Sequence, residues 1–174
     1  MPFYEEKGGQ LVPRGGVPSE AVAAIERADD EAIVEHLTTS PITEEYLYSY
    51  EIGGKPVVGI SVSGAKEVAR ELGNIEVLPD FKLDKDSDPD YIYATMRARD
   101  LTRNTILAGF GRQCKYYLTT GNIPTDRINE HAFVIALSKA QRNAILSVAP
   151  QEAVMRIIQT FIEQKKLKKL PPSY

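Results

Sequence analysis

Nine side chains in the second half of the sequence have types and spacings suited to holding a phosphate backbone. Arg97 and Arg99 alternate with Met96 and Ala98, so a strand through them presents both guanidinium groups on one face. Arg103 lies just past the turn expected at Asp100-Leu101, and Arg112, Lys115, Tyr116 and Tyr117 follow in the next segment. Further on, Lys139, Arg142 and Asn143 stand at helical spacings of three and four, which makes them one polar patch. Phe133, Leu137, Ala140 and Ala144 form the opposite stripe, expected to face the core. Cations in a row neutralise phosphates, and rings beside them stack on unpaired bases, worth about 1–3 kcal/mol per base whatever its identity. On this basis, replacing Lys139 and Arg142 by Ala is expected to weaken binding and flatten its salt dependence without unfolding the domain. The same residues admit a second use: the arginines can pair with carboxylates from the first half, and Tyr116 and Tyr117 can pack locally.

Other chemistries find little support. Asp84-Lys85-Asp86-Ser87-Asp88-Pro89-Asp90 alternates carboxylates like the opening of a calcium loop. Pro89 and Thr95 stand where such a loop needs its glycine and its bidentate glutamate, so a solvated hairpin loop is the expectation and no metal is assigned. Cys114 and His131 lack a marked orienting partner or oxyanion donors. No phosphate-binding Gly-x-x-x-x-Gly-Lys-[Ser/Thr] motif or nucleophile elbow occurs, and Gly109-Phe110-Gly111 is too short for a nucleotide loop. No catalytic residue, cofactor or metal ligand is expected.

The elements that must position these residues follow from periodicity and punctuation. Ser19 opens a helix to about Leu37, with Ala21, Ala24, Ile25, Ala32, Ile33 and Leu37 on one side. Residues 46–52 and 56–62 are β-rich runs around Gly53-Gly54 and read as a hairpin. Ser63 is expected to cap a short helix from Gly64 to Leu72, stopped by Gly73-Asn74. Three strands, Ile75–Leu83, Tyr91–Arg99 and Thr102–Gly109, precede an irregular stretch over 110–127. A long helix over 128–148 is broken at Pro150, and a last helix over 152–164 ends in Lys165-Lys166-Leu167-Lys168-Lys169. The order α-β-β-α-β-β-β-α-α, with short strands joined by tight turns, predicts an α+β fold: an antiparallel meander preceded by a hairpin and covered on one face by helices.

Composition sets the outer limits. The 174 residues are 43% hydrophobic and 26% charged, ordinary for a globular protein and against wholesale disorder. Residues 19–150 read as one nucleic-acid-binding domain, after a flexible arm over 1–18 and before a C-terminal helix with a basic tail over 151–174. Within the arm, Leu11-Val12-Pro13-Arg14-Gly15 resembles an engineered protease-cleavage site. No window approaches the roughly 18 apolar residues of a membrane span. The start of the sequence is not a secretory signal, and with one cysteine a reducing, cytoplasmic setting is expected. Residues 1–90 hold 8 Lys/Arg and 19 Asp/Glu, a net −11, whereas residues 91–174 hold 13 and 5, a net +8. Such a chain has two electrostatic faces unless folding interleaves them.

The succession of hairpin, short helix ending in Gly-Asn, three-strand meander, Gly-x-Gly and long Ala/Lys/Arg helix resembles the single-strand annealing superfamily. That group includes the phage Red-beta and Erf recombinases and the eukaryotic annealing mediator of recombination. The resemblance spans about Tyr46–Val148 and centres on Ala132-x-x-x-Ala136-x-x-Lys139-Ala140-x-Arg142-x-Ala144. The stretch Arg112–Arg127 is longer than in that pattern, and the first half is more acidic. The resemblance implies that Lys139 and Arg142 meet DNA phosphates in a groove. It also implies ATP-independent binding and annealing of single-stranded DNA in recombination, by rings or filaments of identical subunits, as in a phage or mobile element.

The expectation is therefore a non-enzymatic protein whose partners are single-stranded DNA and further copies of itself. Two alternatives use the same residues. One is an adaptor that self-assembles by matching its acidic and basic halves, and the other is an RNA-binding domain.

Overall fold

The computed structural model describes residues 3–7, 10–13, 19–39, 45–119, 121 and 123–171. The fold is α+β, with antiparallel-rich sheets and four helices among these residues. It divides into two compact units, one made of Met1–Gly73 and Ala149–Tyr174 and the other of Asn74–Val148. These boundaries cut through the 19–150 stretch that the sequence reads as a single domain.

In the first unit, β3 (Leu47–Ile52) and β4 (Lys55–Ile60) form the expected hairpin. Gly53 and Gly54 take φ of 56° and 74°, both left-handed, as a two-residue turn matched to strand twist requires. The sheet has five strands in the order β10-β3-β4-β1-β2, with β1 (Phe3–Lys7), β2 (Gln10–Pro13) and β10 (Leu167–Lys169) beyond those foreseen. Two stretches expected to be a flexible arm and a basic tail thus contain strands. Phe3 and Tyr4 are buried, and β1 pairs with β4. β10 runs parallel to β3, where Lys166 O accepts from Tyr46 N at 2.9 Å and Leu170 is buried. The Lys166 ammonium lies 5.9 Å from the Tyr46 ring centre, and Lys168 bridges Glu45. Arg14-Gly15 lies outside the described residues.

Helix α1 (Ser19–Thr39) buries Ala21, Ala24, Ile25 and Ala28, the spacing of one helical face, in a cluster with Tyr48, Tyr50 and Val57. Helix α2 (Val62–Leu72) is capped by Ser61 rather than Ser63, because the Ser61 hydroxyl accepts from Gly64 N. It stops at Gly73, whose φ of 69° is the left-handed stop expected. After Pro150, helix α4 (Gln151–Glu163) buries Ala153, Val154, Ile158 and Phe161.

In the second unit, β5 (Ile75–Asp84), β6 (Tyr91–Asp100) and β7 (Thr105–Cys114) form an antiparallel meander in that order. The β6–β7 turn spans Leu101–Asn104 rather than Asp100-Leu101, and Asn104 takes φ of 51°. The stretch expected to be irregular holds the end of β7 and a two-stranded hairpin of β8 (Tyr116–Leu118) and β9 (Pro124–Ile128). Helix α3 (Ala132–Val148) lies on the sheet through Ala136, Ala140 and Ala144, which meet Ala94, Ala98 and the two glycines of β7.

Those glycines set how closely α3 approaches. A Cβ on Gly109 would stand 2.0 Å from Ala144 N, and one on Gly111 would stand 2.1 Å from Ala136 O. The helix backbone therefore rests directly on the β7 backbone, and any side chain at either position would push it off.

Candidate nucleic-acid interface

Strand alternation sorts the second unit into two faces. Pairing of Ala94 with Gly111, Met96 with Gly109 and Ala98 with Leu107 defines the helix-bearing face. The residues between them define the other: Tyr91, Tyr93, Thr95, Arg97 and Arg99 on β6, and Ile106, Ala108, Phe110 and Arg112 on β7. Both glycines of Gly109-Phe110-Gly111 turn toward α3, so Phe110 must turn away from it. Phe110 is 68% exposed, and Tyr93, Ile106 and Arg112 on the same face are exposed too. The Phe110 carbonyl accepts from Asn143 Nδ2 at 2.6 Å, which ties this strand to α3.

Cations and rings adjoin on this face. Tyr93 stands directly opposite Arg112, and Phe110 opposite Thr95. The Arg112 guanidinium lies 4.5 Å from the centre of the Tyr91 ring, within cation–π range. Arg97 bridges Asp80, and Arg99 bridges Glu76 across the strand pair at 3.8 Å. Within the second unit, acidic β5 thus pairs with basic β6 and the charges nearly balance. Residues 74–148 hold 10 Lys/Arg and 9 Asp/Glu, a net +1.

The nine residues singled out from sequence are dispersed. Arg97, Arg99 and Arg112 share the sheet face, and Lys115 sits at its end, donating from its ammonium to the Asp88 carbonyl. Arg103 occupies the β6–β7 turn and bridges Asp100 at 3.3 Å. Burial alone would raise the Asp100 carboxyl, but the Arg103 and Thr102 backbone N–H groups and the Arg103 guanidinium outweigh it and hold it below the ordinary range. Tyr116 and Tyr117 are half-buried on β8, where Arg127 lies 4.7 Å from the Tyr117 ring centre.

Lys139 and Arg142 correct the expected polar patch, since they are only 6% and 2% exposed. Together with Ile135 they form a second buried stripe beside the alanines, and Lys139 Nζ donates to the buried Gln113 Oε1 at 2.8 Å. Arg142 Nε donates to Asn143 Oδ1 at 3.2 Å. Phe133, placed in the core by the sequence, is 42% exposed instead. The cause is the glycine seam: the surface that sinks deepest is the one with the smallest side chains, which rotates the helix away from the pattern set by the larger apolar residues.

Tyr91, Tyr93 and Phe110 were not singled out, although two signals mark them. Tyr91 and Tyr93 share the odd-numbered parity of Arg97 and Arg99, and Phe110 is flanked by glycines that face the helix.

The loop between β5 and β6 is a solvated turn, as expected. Asp84 Oδ1 accepts from Asp86 N and Ser87 N at 3.1 and 3.0 Å. Among the described residues no group of three or more His, Cys, Asp or Glu side chains is placed to hold a metal ion. No described helix is long and apolar enough to cross a membrane.

No protein-family model matches this chain, and no curated protein or solved structure matches it either. The functional reading therefore rests on the chain's own residues.

Proposed function

We propose that the protein binds single-stranded nucleic acid, DNA in the first instance, on the sheet face opposite α3, and promotes annealing without hydrolysis. One observation carries this reading: an aromatic ring 68% exposed in the middle of a strand, at Phe110, with Tyr93, Arg97 and Arg112 on the same face. An isolated exposed Phe needs no explanation, but rings and guanidinium groups together on an open antiparallel sheet match what unpaired bases and their phosphates require. The bases stack on Phe110 and Tyr93, and the phosphates meet Arg112 and, in competition with Asp80 and Glu76, Arg97 and Arg99. Annealing follows if the captured strand keeps its pairing edges outward. In the same reading, further copies of the chain assemble along the strand.

The test is fluorescence anisotropy of a labelled single-stranded oligonucleotide across a salt series, with duplex DNA and RNA as competitors. Phe110→Ala is expected to weaken binding about tenfold at unchanged circular dichroism, the lower part of the range for one stacked base. Unchanged affinity in that variant would remove the sheet face from the interface, and preferential competition by RNA would reassign the ligand.

A further inference from the structure

Resting on the sheet-face reading, we propose that Asp88, in the β5–β6 loop, is a positioning residue that holds the Tyr93 ring upright as a base-stacking platform. Tyr93 OH donates to Asp88 Oδ2 at 3.0 Å, across a gap of five residues in sequence. The other oxygen, Asp88 Oδ1, accepts from the backbone N–H of Asp90 at 2.8 Å and of Tyr91 at 3.1 Å. The Asp88 carbonyl accepts from the Lys115 ammonium, and Lys115 N donates to Asp90 O at 2.7 Å. The carboxylate is thus fixed to the loop backbone on one side and to the phenol on the other, while the loop is fixed to the end of β7.

The consequence is mechanical. Tyr93 starts two residues into β6, is 37% exposed and faces Arg112 across the strand pair. A tyrosine ring moves about two side-chain torsions, and a tether at its far end removes the freedom that a stacking base would otherwise have to freeze. The Asp90 N–H first, and then the Tyr93 hydroxyl and the Tyr91 N–H, outweigh the opposing effect of burial and hold the Asp88 carboxyl below the ordinary range. The tether therefore has an ionised acceptor throughout the neutral range. The acidic loop acts as a mount for the platform.

The test compares two probes of equal length and charge, a thymidine oligonucleotide and its abasic counterpart, on the full chain. Asp88→Ala is expected to weaken binding of the thymidine probe about fivefold and of the abasic probe less than twofold, because only the base-dependent part uses the ring. Tyr93→Phe keeps the ring and removes the hydroxyl, so it should show the same loss, and combining it with Asp88→Ala should add nothing. Asp88→Asn retains an acceptor for the backbone and a partner for the phenol, so it should restore near-native binding. Equal losses on both probes, additive losses in the double variant, or no rescue by Asn would each overturn the proposal. Phe110→Ala separates the two levels. If it lowers thymidine binding while Asp88→Ala does not, the sheet face stands and the positioning role fails; if it changes nothing, both fail.

Discussion

Gly109→Ala tests the seam between α3 and β7, the contact that decides which faces of both elements look outward. The added Cβ would stand 2.0 Å from Ala144 N, 2.3 Å from Ala140 O and 2.6 Å from Ala144 Cα. All three are backbone atoms of one helix, so no side-chain rotation relieves the clash. Ordinary contact begins near 3.4 Å, and α3 would have to lift locally by the difference from 2.0 Å, about 1.4 Å. A gap of about 0.5–1 Å already forfeits a quarter to a half of the dispersion attraction across it. The gap would open between Ala98, Ala144 and Val148 and between Ala94, Ala136 and Ala140. Overpacking costs about 1–3 kcal/mol where side chains can adjust, so about 3 kcal/mol is the expected floor here. For a chain of this length that lowers the melting temperature by about 6–12 °C. The assay is thermal denaturation by circular dichroism, with Gly121→Ala as control because its Cβ would meet nothing closer than 3.8 Å. A Gly109→Ala protein melting within about 2 °C of the parent would refute the seam, and with it the outward direction assigned to Phe110.

Three other outcomes follow from the same geometry. Lys139→Ala should destabilise the protein by about 1–3 kcal/mol in urea unfolding, because it strands the buried Gln113 Oε1; a neutral result would return Lys139 to the surface patch read from sequence. Asp80→Asn releases Arg97 from an exposed bridge, so stability should change by less than about 1 kcal/mol; oligonucleotide affinity should rise a few-fold, with the salt slope steeper by about 0.7. Failure to tighten would show that Arg97 meets no phosphate. Stability should also fall at both extremes of pH. Asp84, Asp88 and Asp100 are held below the ordinary carboxylate value, so the unfolded chain binds more protons as pH drops below about 4, and stability is lost there. Burial pushes Tyr4 up to about 12, so the folded state keeps its proton longer and stability declines between about pH 10 and 12. Urea midpoints across pH check both limbs, and Tyr4→Phe should make the alkaline one shallower, leaving the part due to Tyr50 and Tyr93, which their hydrogen bonds to Glu20 and Asp88 also raise.

Local signals carried most of the α+β architecture. The Gly53-Gly54 hairpin, the stop at Gly73, the β5–β7 meander and the break at Pro150 each depend on neighbours in sequence, where periodicity and turn chemistry act. Strands β1 and β2 pair with each other close in sequence, Glu5 with Val12 and Lys7 with Gln10, but β1 joins the larger sheet through Phe3 and Gly59, and β10 joins it through Lys168 and Tyr48. Those long-range hydrogen bonds, which propensity does not register, place a Gly/Pro-rich start and a lysine run in the sheet. The candidate site was half legible for a related reason. Alternation placed Arg97 and Arg99 on one face, but the direction of α3 is set by backbone contact at Gly109 and Gly111. Spacing among Phe133, Leu137, Lys139 and Arg142 does not contain that contact.

The discontinuity of the first unit orders the folding of the chain. Residues 74–148 are contiguous, and each strand of their meander pairs with the next, so this unit can condense while its contacts are still close in sequence. The other sheet cannot be completed on that schedule. The flank of β3 that receives β10 waits for a segment more than a hundred residues downstream, and until Leu167–Lys169 dock, its backbone groups are an open template. Pulse-labelled hydrogen exchange during refolding should therefore find the β6 and β7 amides protected before those joining β3 to β10. Simultaneous protection would mean that the two units fold as one.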